Sequence, residues 1–317
     1  MKKRISLVFF AVILIIGTLC SCAVAENTEK LNIVCTSFPQ YDWTRKLISG
    51  CDDIRLTLLL DSATDMHSYQ ATADDIVTIM SCDLFIYTGG DSDVWAEDVL
   101  NNSGENIPYV LNLMDEIGDE NLCCYENEDE HIHENEEEHH EHLYDEHIWM
   151  SPRKAIILCE IIKDALISLN EEYSSVIEKN CEDYITRLKG LDEAYNEAVS
   201  NSSQKLLIVA DRFPFLYLVS DYSLDYCAAF VGCSAEAEAS AETVIRLITE
   251  TENSGAGTVF FTETSDGDMA EIIKEHIKGR EIEISVLNSL QSVKNAEDTD
   301  YIKIMEENLN VLKTALS

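Results

Sequence analysis

Positively charged residues are scarce in this chain of 317 residues. Its 22 lysines and arginines stand against 60 aspartates and glutamates, which gives a formal net charge of −38. A surface this acidic repels phosphate backbones, so nucleic acid is excluded as a partner. The charge attracts cations instead, although much of it serves only to keep the protein soluble.

The signatures of common enzymes are also missing. No G-x-S-x-G nucleophile elbow, phosphate-cradling glycine loop or cofactor fingerprint occurs in the sequence. The zinc-protease motif H-E-x-x-H fails as well, because Tyr144 stands where a second histidine would have to follow His140 and Glu141. We therefore expect a protein that is not an enzyme, and a zinc-dependent hydrolase is the weakest alternative.

The cysteines do not form the C-x-x-C pairs that are typical of redox or structural zinc sites. Five of the 11 lie in apolar segments and are expected to be small buried hydrophobic residues, namely Cys35, Cys51, Cys82, Cys159 and Cys181. Two pairs could instead be oxidised or bind metal. They are Cys123 with Cys124, and Cys227 with Cys233. We favour the structural role for these four too.

Histidine is concentrated in one part of the chain. Six of the 8 histidines lie between His131 and His147, in or directly after an acidic tract at residues 119–146. A segment this polar cannot bury enough apolar surface to offset the entropy of ordering, so a solvated loop is expected. Imidazole and carboxylate groups bind divalent metals. The tract is predicted to be an auxiliary metal loop with these ligands: His131, His133, His139, His140 and His142.

The first residues indicate export. A basic start, Met1 to Arg4, precedes an apolar run from Ile5 to Ile16 that is the length of a signal-peptide core and too short to span a bilayer. It ends in LCSC, which resembles the lipobox of bacterial lipoproteins. We expect a signal peptide at residues 1–21 and an acylated Cys22 that anchors the protein in membrane lipid. Plain secretion after cleavage near Ala25 is the alternative, and both place the folded part outside the cytoplasm.

Short apolar strands alternate with helical segments along the rest of the chain, which predicts an α/β fold with parallel sheets. The fold should have two lobes, each a parallel sheet flanked by helices, joined by one long helix. A tether at residues 22–30 would precede an N-terminal metal-binding lobe at 31–170, a linking helix at 171–201 and a C-terminal lobe at 202–317. The predicted strands are Leu31–Thr36, Ile54–Leu60, Leu84–Thr88, Leu206–Ala210, Cys227–Phe230, Thr258–Thr262 and Glu283–Leu287. The predicted helices are Asp74–Ser81, a pattern from Pro152 to Ser200 with weak points at Asn170 and Gly190, one from Phe213, Ala241–Asn253, Asp268–Lys278 and Asp300–Ala315.

Polar side chains stand where several of these strands end. Because ligands bind off the carboxyl ends of parallel strands, such residues are expected to converge on one cleft. Two histidines belong to the first lobe and three oxygen donors to the second: His67, His147, Asp211, Glu263 and Asn288.

Three segments make the chain resemble the solute-binding lipoproteins of bacterial zinc and manganese ABC importers, over essentially its full length. They are TSFPQYDWTRKLISG from Thr36, the DMHSY segment at Asp65 with the later CDLFIYTGG, and DEHIWMSPRKA from Asp145. The last helix, YIKIMEENLNVLKTAL, is similar too. The resemblance implies a rigid linking helix, metal held between the lobes by His67 and His147, and delivery to a membrane permease by a monomeric protein. The His-rich insertion is typical of the zinc-handling branch.

The chain departs from that family at two ligand positions. Many zinc-binding members have a third histidine where Asp211 and Arg212 stand here, and guanidinium has no lone pair to donate to a metal. The family's last ligand, often an aspartate, is aligned with Asn288. We expect Asp211, Asn288, Glu263 and Glu238 to complete the site, with Glu236 as a further candidate.

The predicted cargo is Zn²⁺, with Mn²⁺ as the alternative. The predicted function is capture of that metal outside the cytoplasm for uptake by an ABC permease. A surface adhesion or metal-buffering lipoprotein of the same fold is one alternative, and a degenerate member with only weak, loop-borne binding is another. Asp65 and Asp145 are the expected hydrogen-bond partners of the second ring nitrogens of His67 and His147.

Overall fold

The computed structural model describes residues 30–61, 64–104, 107–125, 144–233 and 239–317. Residues 31–317 form one compact unit. The predicted signal peptide, Cys22 and Glu238 lie outside the described residues. The same holds for Glu236 and for the histidines of the auxiliary loop, which are His131, His133, His139, His140 and His142.

Two four-stranded sheets, both entirely parallel, carry the fold. The first contains β1 Leu31–Cys35, β2 Ile54–Leu58, β3 Leu84–Tyr87 and β4 Tyr109–Asn112. The second contains β5 Leu206–Val209, β6 Asp225–Ala228, β7 Thr258–Thr262 and β8 Glu283–Leu287. The strand orders are β2-β1-β3-β4 and β6-β5-β7-β8.

Helices flank these sheets. Those of the first half are α1 Phe38–Leu47, α2 Ala73–Met80, α3 Val94–Asn101, α4 Leu113–Ile117 and α5 Pro152–Leu169. Those that follow are α6 Ser174–Ser200, α7 Leu216–Tyr222, α8 Ala241–Ser254, α9 Asp268–His276 and α10 Tyr301–Ala315. Within the described ranges, no helix is both long and apolar enough to cross a membrane.

The two sheets share one topology. In each, the first strand of the sheet lies between its second and third strands, so the chain crosses over to one side and then to the other. This arrangement leaves a crevice outside the carboxyl ends of β1 and β3, and another outside those of β5 and β7. The loops that leave the carboxyl ends of β2, β3, β6 and β8 supply side chains to the candidate site described below.

The long helical pattern before β5 is two helices rather than one. Asn170, at φ −147° and ψ 89°, ends α5, and its side chain accepts a hydrogen bond from Glu172 N in a short turn that leads into α6. Gly190 lies inside α6 without interrupting it. One hydrophobic cluster includes side chains of β1, α6 and β5, such as Ile33, Leu188 and Leu207, so the core is continuous between the two sheets.

The predicted α/β fold with two parallel sheets and a long helix between them is confirmed. Two elements were misplaced at their start: the helix predicted from Phe213 starts at Leu216, and the strand predicted at Cys227–Phe230 occupies Asp225–Ala228. Other predicted ends differ from the structure by at most a few residues. Four elements were not predicted, namely α1, α3, α4 and β4. The division into lobes at residues 170 and 201 stays a prediction.

Candidate metal centre

His67 lies in the loop that follows β2, within a short helical turn, Met66–Ser68. Asp65 caps this turn, because its Oδ1 atom accepts a hydrogen bond of 3.0 Å from the backbone N–H of His67. The ring is held elsewhere: its Nδ1 atom is 2.7 Å from Ser92 Oγ and 3.1 Å from Glu146 Oε1. The prediction that Asp65 holds the ring of His67 is therefore wrong, and Nε2 is the nitrogen left for a metal.

His147 lies directly before the turn that leads into α5. The Oδ1 atom of Asp145 accepts a hydrogen bond of 2.8 Å from the backbone N–H of His147 and lies 3.0 Å from its Nδ1 atom. This confirms the predicted role of Asp145. The ring packs edge-on against Trp149, with the ring centroids 5.1 Å apart, and the residue is only 2 % exposed. As with His67, Nε2 is the nitrogen that remains available.

Cys233, in the loop after β6, completes a cluster with the two histidines. Its Sγ atom is 3.3 Å from His147 Nε2, and the Nε2 atoms of His67 and His147 are 3.4 Å apart. Zinc–nitrogen bonds of about 2.0–2.1 Å in a tetrahedron place neighbouring nitrogen ligands about 3.4 Å apart. Among the described residues, this is the group of three metal-binding side chains whose ligand atoms all lie within 4.8 Å of one another.

Gln291 reaches the same point from the loop after β8. Its side-chain nitrogen is 2.5 Å from His147 Nε2, 3.1 Å from His67 Nε2 and 3.0 Å from Cys233 Sγ. A terminal carboxamide offers an oxygen as well as an NH₂ group, so its rotation presents an oxygen to a cation at this position. Gln291 is therefore a fourth group that converges on the cluster.

The loop that carries Gln291 is held in an unusual conformation. Leu290 is fully buried and has φ +61°, a left-handed value that is rare for a branched side chain. Asn288 stabilises it, because its Oδ1 atom accepts a hydrogen bond of 2.9 Å from Leu290 N. Glu263 accepts hydrogen bonds of 2.7 and 2.8 Å from the backbone and the hydroxyl of Ser289. These contacts position Gln291.

The charges of the cluster are strongly coupled. Burial alone lowers the pKa of His67, but the contacts with Cys233 and Glu146 outweigh it and raise that pKa to about 9. Burial raises the pKa of Cys233, but the adjacent His147 and His67 lower it to about 6. Burial likewise raises the pKa of Glu146, yet the hydrogen bond with His67 and the charge of His147 lower it to about 2. Without a metal, the imidazoles of the cluster are therefore protonated and lie beside a thiolate.

The other predicted oxygen donors are engaged by the protein. Asp211 accepts hydrogen bonds from the backbone and hydroxyl of Thr262 and from the backbone of Arg212. The Arg212 guanidinium lies 3.6 Å from Asp65 Oδ2, so it pairs with a carboxylate rather than facing the cluster. Asn288 and Glu263 support the Gln291 loop, as described above. The proposal that Asp211, Asn288 or Glu263 binds the metal directly stays a prediction.

Sequence reasoning did not select Cys233 for the site, and it missed Gln291. Cys233 follows the predicted strand Cys227–Phe230 and so met the same strand-end criterion that selected Asp211. It was named with Cys227 as an alternative for metal binding, but a structural role was favoured, an expectation that the structure does not support because its sulfur faces two imidazoles. Gln291 lies only three residues beyond Asn288, but nothing in the sequence showed that the loop would turn at Leu290.

Residues 33–315 match the model of a protein family described as "ZnuA: Zinc-uptake complex component A periplasmic". A zinc-binding lipoprotein, AdcA from Streptococcus pneumoniae, is 31% identical over 315 residues, which cover 98% of this chain and 60% of that protein. The chain thus spans about 60% of that relative's length. The high-affinity zinc uptake system protein ZnuA from Bacillus subtilis is 27% identical over 288 residues, 91% of this chain and 88% of that protein.

A solved structure supports the same relationship. The Zn(II)-bound ZnuA-like domain of Streptococcus pneumoniae AdcA superimposes with a TM-score of 0.71 at 28% identity, covering 90% of this chain and 99% of that domain.

Proposed function

The chain belongs to the ZnuA family of zinc-uptake components, and on that basis we propose that it captures zinc outside the cytoplasm and delivers it to the membrane permease of an ABC importer. The family predicted from the sequence motifs is confirmed by the match over residues 33–315. Zinc is the cargo in this proposal, and the protein is a binding component rather than an enzyme.

The observation that carries the proposal is the convergence of two imidazoles. The Nε2 atoms of His67 and His147 are 3.4 Å apart, at the spacing of two ligands of one zinc ion. Each Nδ1 atom already has a protein partner: Ser92 and Glu146 hold that of His67, and Asp145 holds that of His147. Such partners fix the ring orientation and raise the basicity of the nitrogen that binds the metal.

The burial of the site suits a carrier that must hold zinc against competing ligands. His147 is almost fully buried, whereas the side chain of His67 keeps 14% of its surface exposed. An ion can therefore enter and leave on the side of His67. The acidic residues of the chain favour the approach of a cation, because its formal net charge is −38.

The location and partners in this proposal follow from the sequence. Residues 1–21 would be removed as a signal peptide, and an acylated Cys22 with a tether at 22–30 would hold a monomer at the cell membrane. The lobes at 31–170 and 202–317 would face the permease together, with the helix at 171–201 keeping their separation fixed. The histidines at 131–142 would collect zinc near the cleft.

Zinc-limited growth tests this function. Cells that lack the gene should grow poorly in a zinc-chelating medium, and the wild-type protein should restore both growth and zinc accumulation. The double variant His67→Ala, His147→Ala should not restore either, while His276→Ala, an exposed histidine at the end of α9, should act like wild type. Full restoration by the double variant would refute the proposal. The same assay under manganese limitation tests Mn²⁺ as cargo.

A further inference from the structure

The third donor of the cluster differs in chemistry from the imidazoles. Cys233 brings sulfur within 3.3 Å of His147 Nε2 and 3.0 Å of the Gln291 carboxamide. The predicted alternative at this side of the cluster, Asp211, already accepts three hydrogen bonds from Thr262 and Arg212. Among the histidine, cysteine, aspartate and glutamate side chains described in the second sheet's loops, Cys233 is the one that groups with both histidines.

The backbone before Cys233 is fixed by specific contacts. Gly232 has φ +57°, and a Cβ atom placed on it would come 3.3 Å from the Tyr125 ring. Its carbonyl oxygen accepts a hydrogen bond of 2.7 Å from Phe213 N. The Tyr125 hydroxyl contacts the carboxylate of Asp145, the residue that orients His147. One set of contacts therefore positions both the sulfur of Cys233 and the ring of His147.

From this geometry we infer that the Cys233 thiolate is a ligand of the transported ion, so that the site selects thiophilic divalent cations, zinc and cadmium, over manganese. The inference rests on the proposed function and specifies its cargo. Two imidazoles, one thiolate and the neutral Gln291 carboxamide form a donor set with a single negative charge. Thiolates favour zinc among the divalent metals that compete for such a site, whereas manganese prefers carboxylate, carbonyl and water oxygens.

Cobalt(II) absorption tests the thiolate ligand, because thiolate-bound Co²⁺ has a near-ultraviolet charge-transfer band that imidazole-bound and carboxylate-bound Co²⁺ lack. The full-length protein should develop this band at one equivalent of cobalt. Cys233→Ser should abolish it, and Cys124→Ser, which alters an exposed cysteine outside the cluster, should leave it unchanged. Cys233→His gives the site three nitrogen donors and no sulfur, so it should bind cobalt without the band.

Metal competition tests the selectivity. In Cys233→His, the preference for cadmium over zinc and for zinc over manganese should each fall about tenfold or more, because the sulfur donor is lost. A wild-type protein that binds cobalt through His67 and His147 without the charge-transfer band would overturn the inference but leave the proposed function standing. Unchanged selectivity in Cys233→His would also overturn it. Loss of tight binding in every form, wild type included, would instead contradict the proposed function.

Discussion

Each histidine of the cluster has one ring nitrogen that is bonded to the protein and one that faces its neighbours. For His67 the bonded nitrogen contacts Ser92 and Glu146, and for His147 it contacts Asp145. The fixed tautomer leaves both Nε2 atoms directed at Cys233 and Gln291. Residues that never touch the metal therefore decide how well the metal is held.

The charge of residue 291 should set the zinc affinity. Gln291→Glu replaces a neutral carboxamide by a carboxylate in contact with the ion, and at close range each added opposite charge is worth at least about 1 kcal/mol. We expect zinc affinity to rise by about tenfold and zinc dissociation to slow accordingly, since 1.4 kcal/mol corresponds to a factor of ten. Gln204→Glu, which adds the same charge before β5 at the amino ends of its sheet, is the control. A lower affinity in Gln291→Glu, measured by competition with a chelator, would show that Gln291 does not face the ion.

Zinc affinity should also fall steeply with pH. The metal needs unprotonated imidazoles, and without metal the pKa of His67 is raised to about 9 by Cys233 and Glu146 despite its burial. Below that pH zinc must displace protons, and below about 6 it must displace one from Cys233 as well. We expect the apparent affinity to drop by about one to two powers of ten per pH unit between pH 8 and 6. Titrations at constant ionic strength measure this slope, and a flat profile would contradict the assigned ligands.

The sequence identified individual residues of the candidate site where a recognisable motif surrounds them. His67 and His147 stand in short segments with family resemblance, and Asp145 is two residues from the histidine that it orients. Cys233 and Gln291 could not be selected in this way. The first requires knowledge that the loop after β6 meets the loop after β2, and the second depends on the left-handed backbone of Leu290.

At the scale of elements, the ends of strands place the site. Loops after β2, β6 and β8 each contribute a side chain to the cluster, through His67, Cys233 and Gln291. The loop after β3 adds support, because Ser92 bonds to both His67 and Glu146. Parallel strands bring these loops to one edge of each sheet, which is the edge where the alternating sequence pattern predicted a cleft.

The turn after β3 should make stability depend on pH. Asp93 is buried, and its Oδ2 atom accepts hydrogen bonds of 2.8 and 3.1 Å from the backbone N–H groups of Thr88 and Gly89. Burial raises the pKa of Asp93 from 3.8 to about 7, against the effect of these hydrogen bonds. The folded state therefore binds the proton more tightly than the unfolded state. The free energy of unfolding contributed by this group falls as pH rises from about 4 to about 7.

Asp93→Asn removes this titration while keeping an oxygen acceptor for the two backbone groups. We expect the variant to gain stability relative to wild type as the pH rises from 4.5 to 7.5. Urea denaturation of both metal-free proteins across this range measures the difference. A difference that stays constant with pH would show that Asp93 does not titrate in the folded protein over this range.

Elements were predicted best where apolar runs are continuous. The strands β7 and β8 have the predicted bounds, and β1, β2, β3 and β5 differ from them by at most two residues at one end. The edge strand β4 was not predicted, since two of its four residues are only half-buried and one is exposed. Of the two predicted weak points in the long helical pattern, Asn170 does end a helix. Gly190 does not interrupt α6, because buried side chains of α6 precede and follow it in sequence.

At the scale of the whole molecule, a continuous core joins the two sheets. The same hydrophobic cluster extends from β1 through α5 and α6 to β5 and α10. Both sheets lie in one compact unit with the long helix α6 between them in sequence. This packing supports the expectation, taken from the family resemblance, that the linking helix is rigid.

The acidic His-rich tract should affect the rate of zinc capture more than its strength. Deletion of residues 126–142 removes five histidines that we propose collect zinc, while His67, His147 and Cys233 stay in place. We expect slower zinc acquisition at scarce supply and a nearly unchanged equilibrium affinity. Stopped-flow mixing and equilibrium titration separate the two quantities. Replacing only the five histidines by alanine tests whether imidazole or the acidic charge is responsible, and loss of the tight site in the deletion variant would contradict this role.

The central claim is that one zinc ion is held between His67 and His147. Equilibrium zinc titration of the full-length protein tests it most directly. The double variant His67→Ala, His147→Ala and the control His276→Ala are titrated beside it. We predict one tight equivalent in wild type and in the control, and its loss in the double variant, with only weaker binding left. A tight equivalent that persists without both histidines would contradict the claim and place the zinc site elsewhere in the chain.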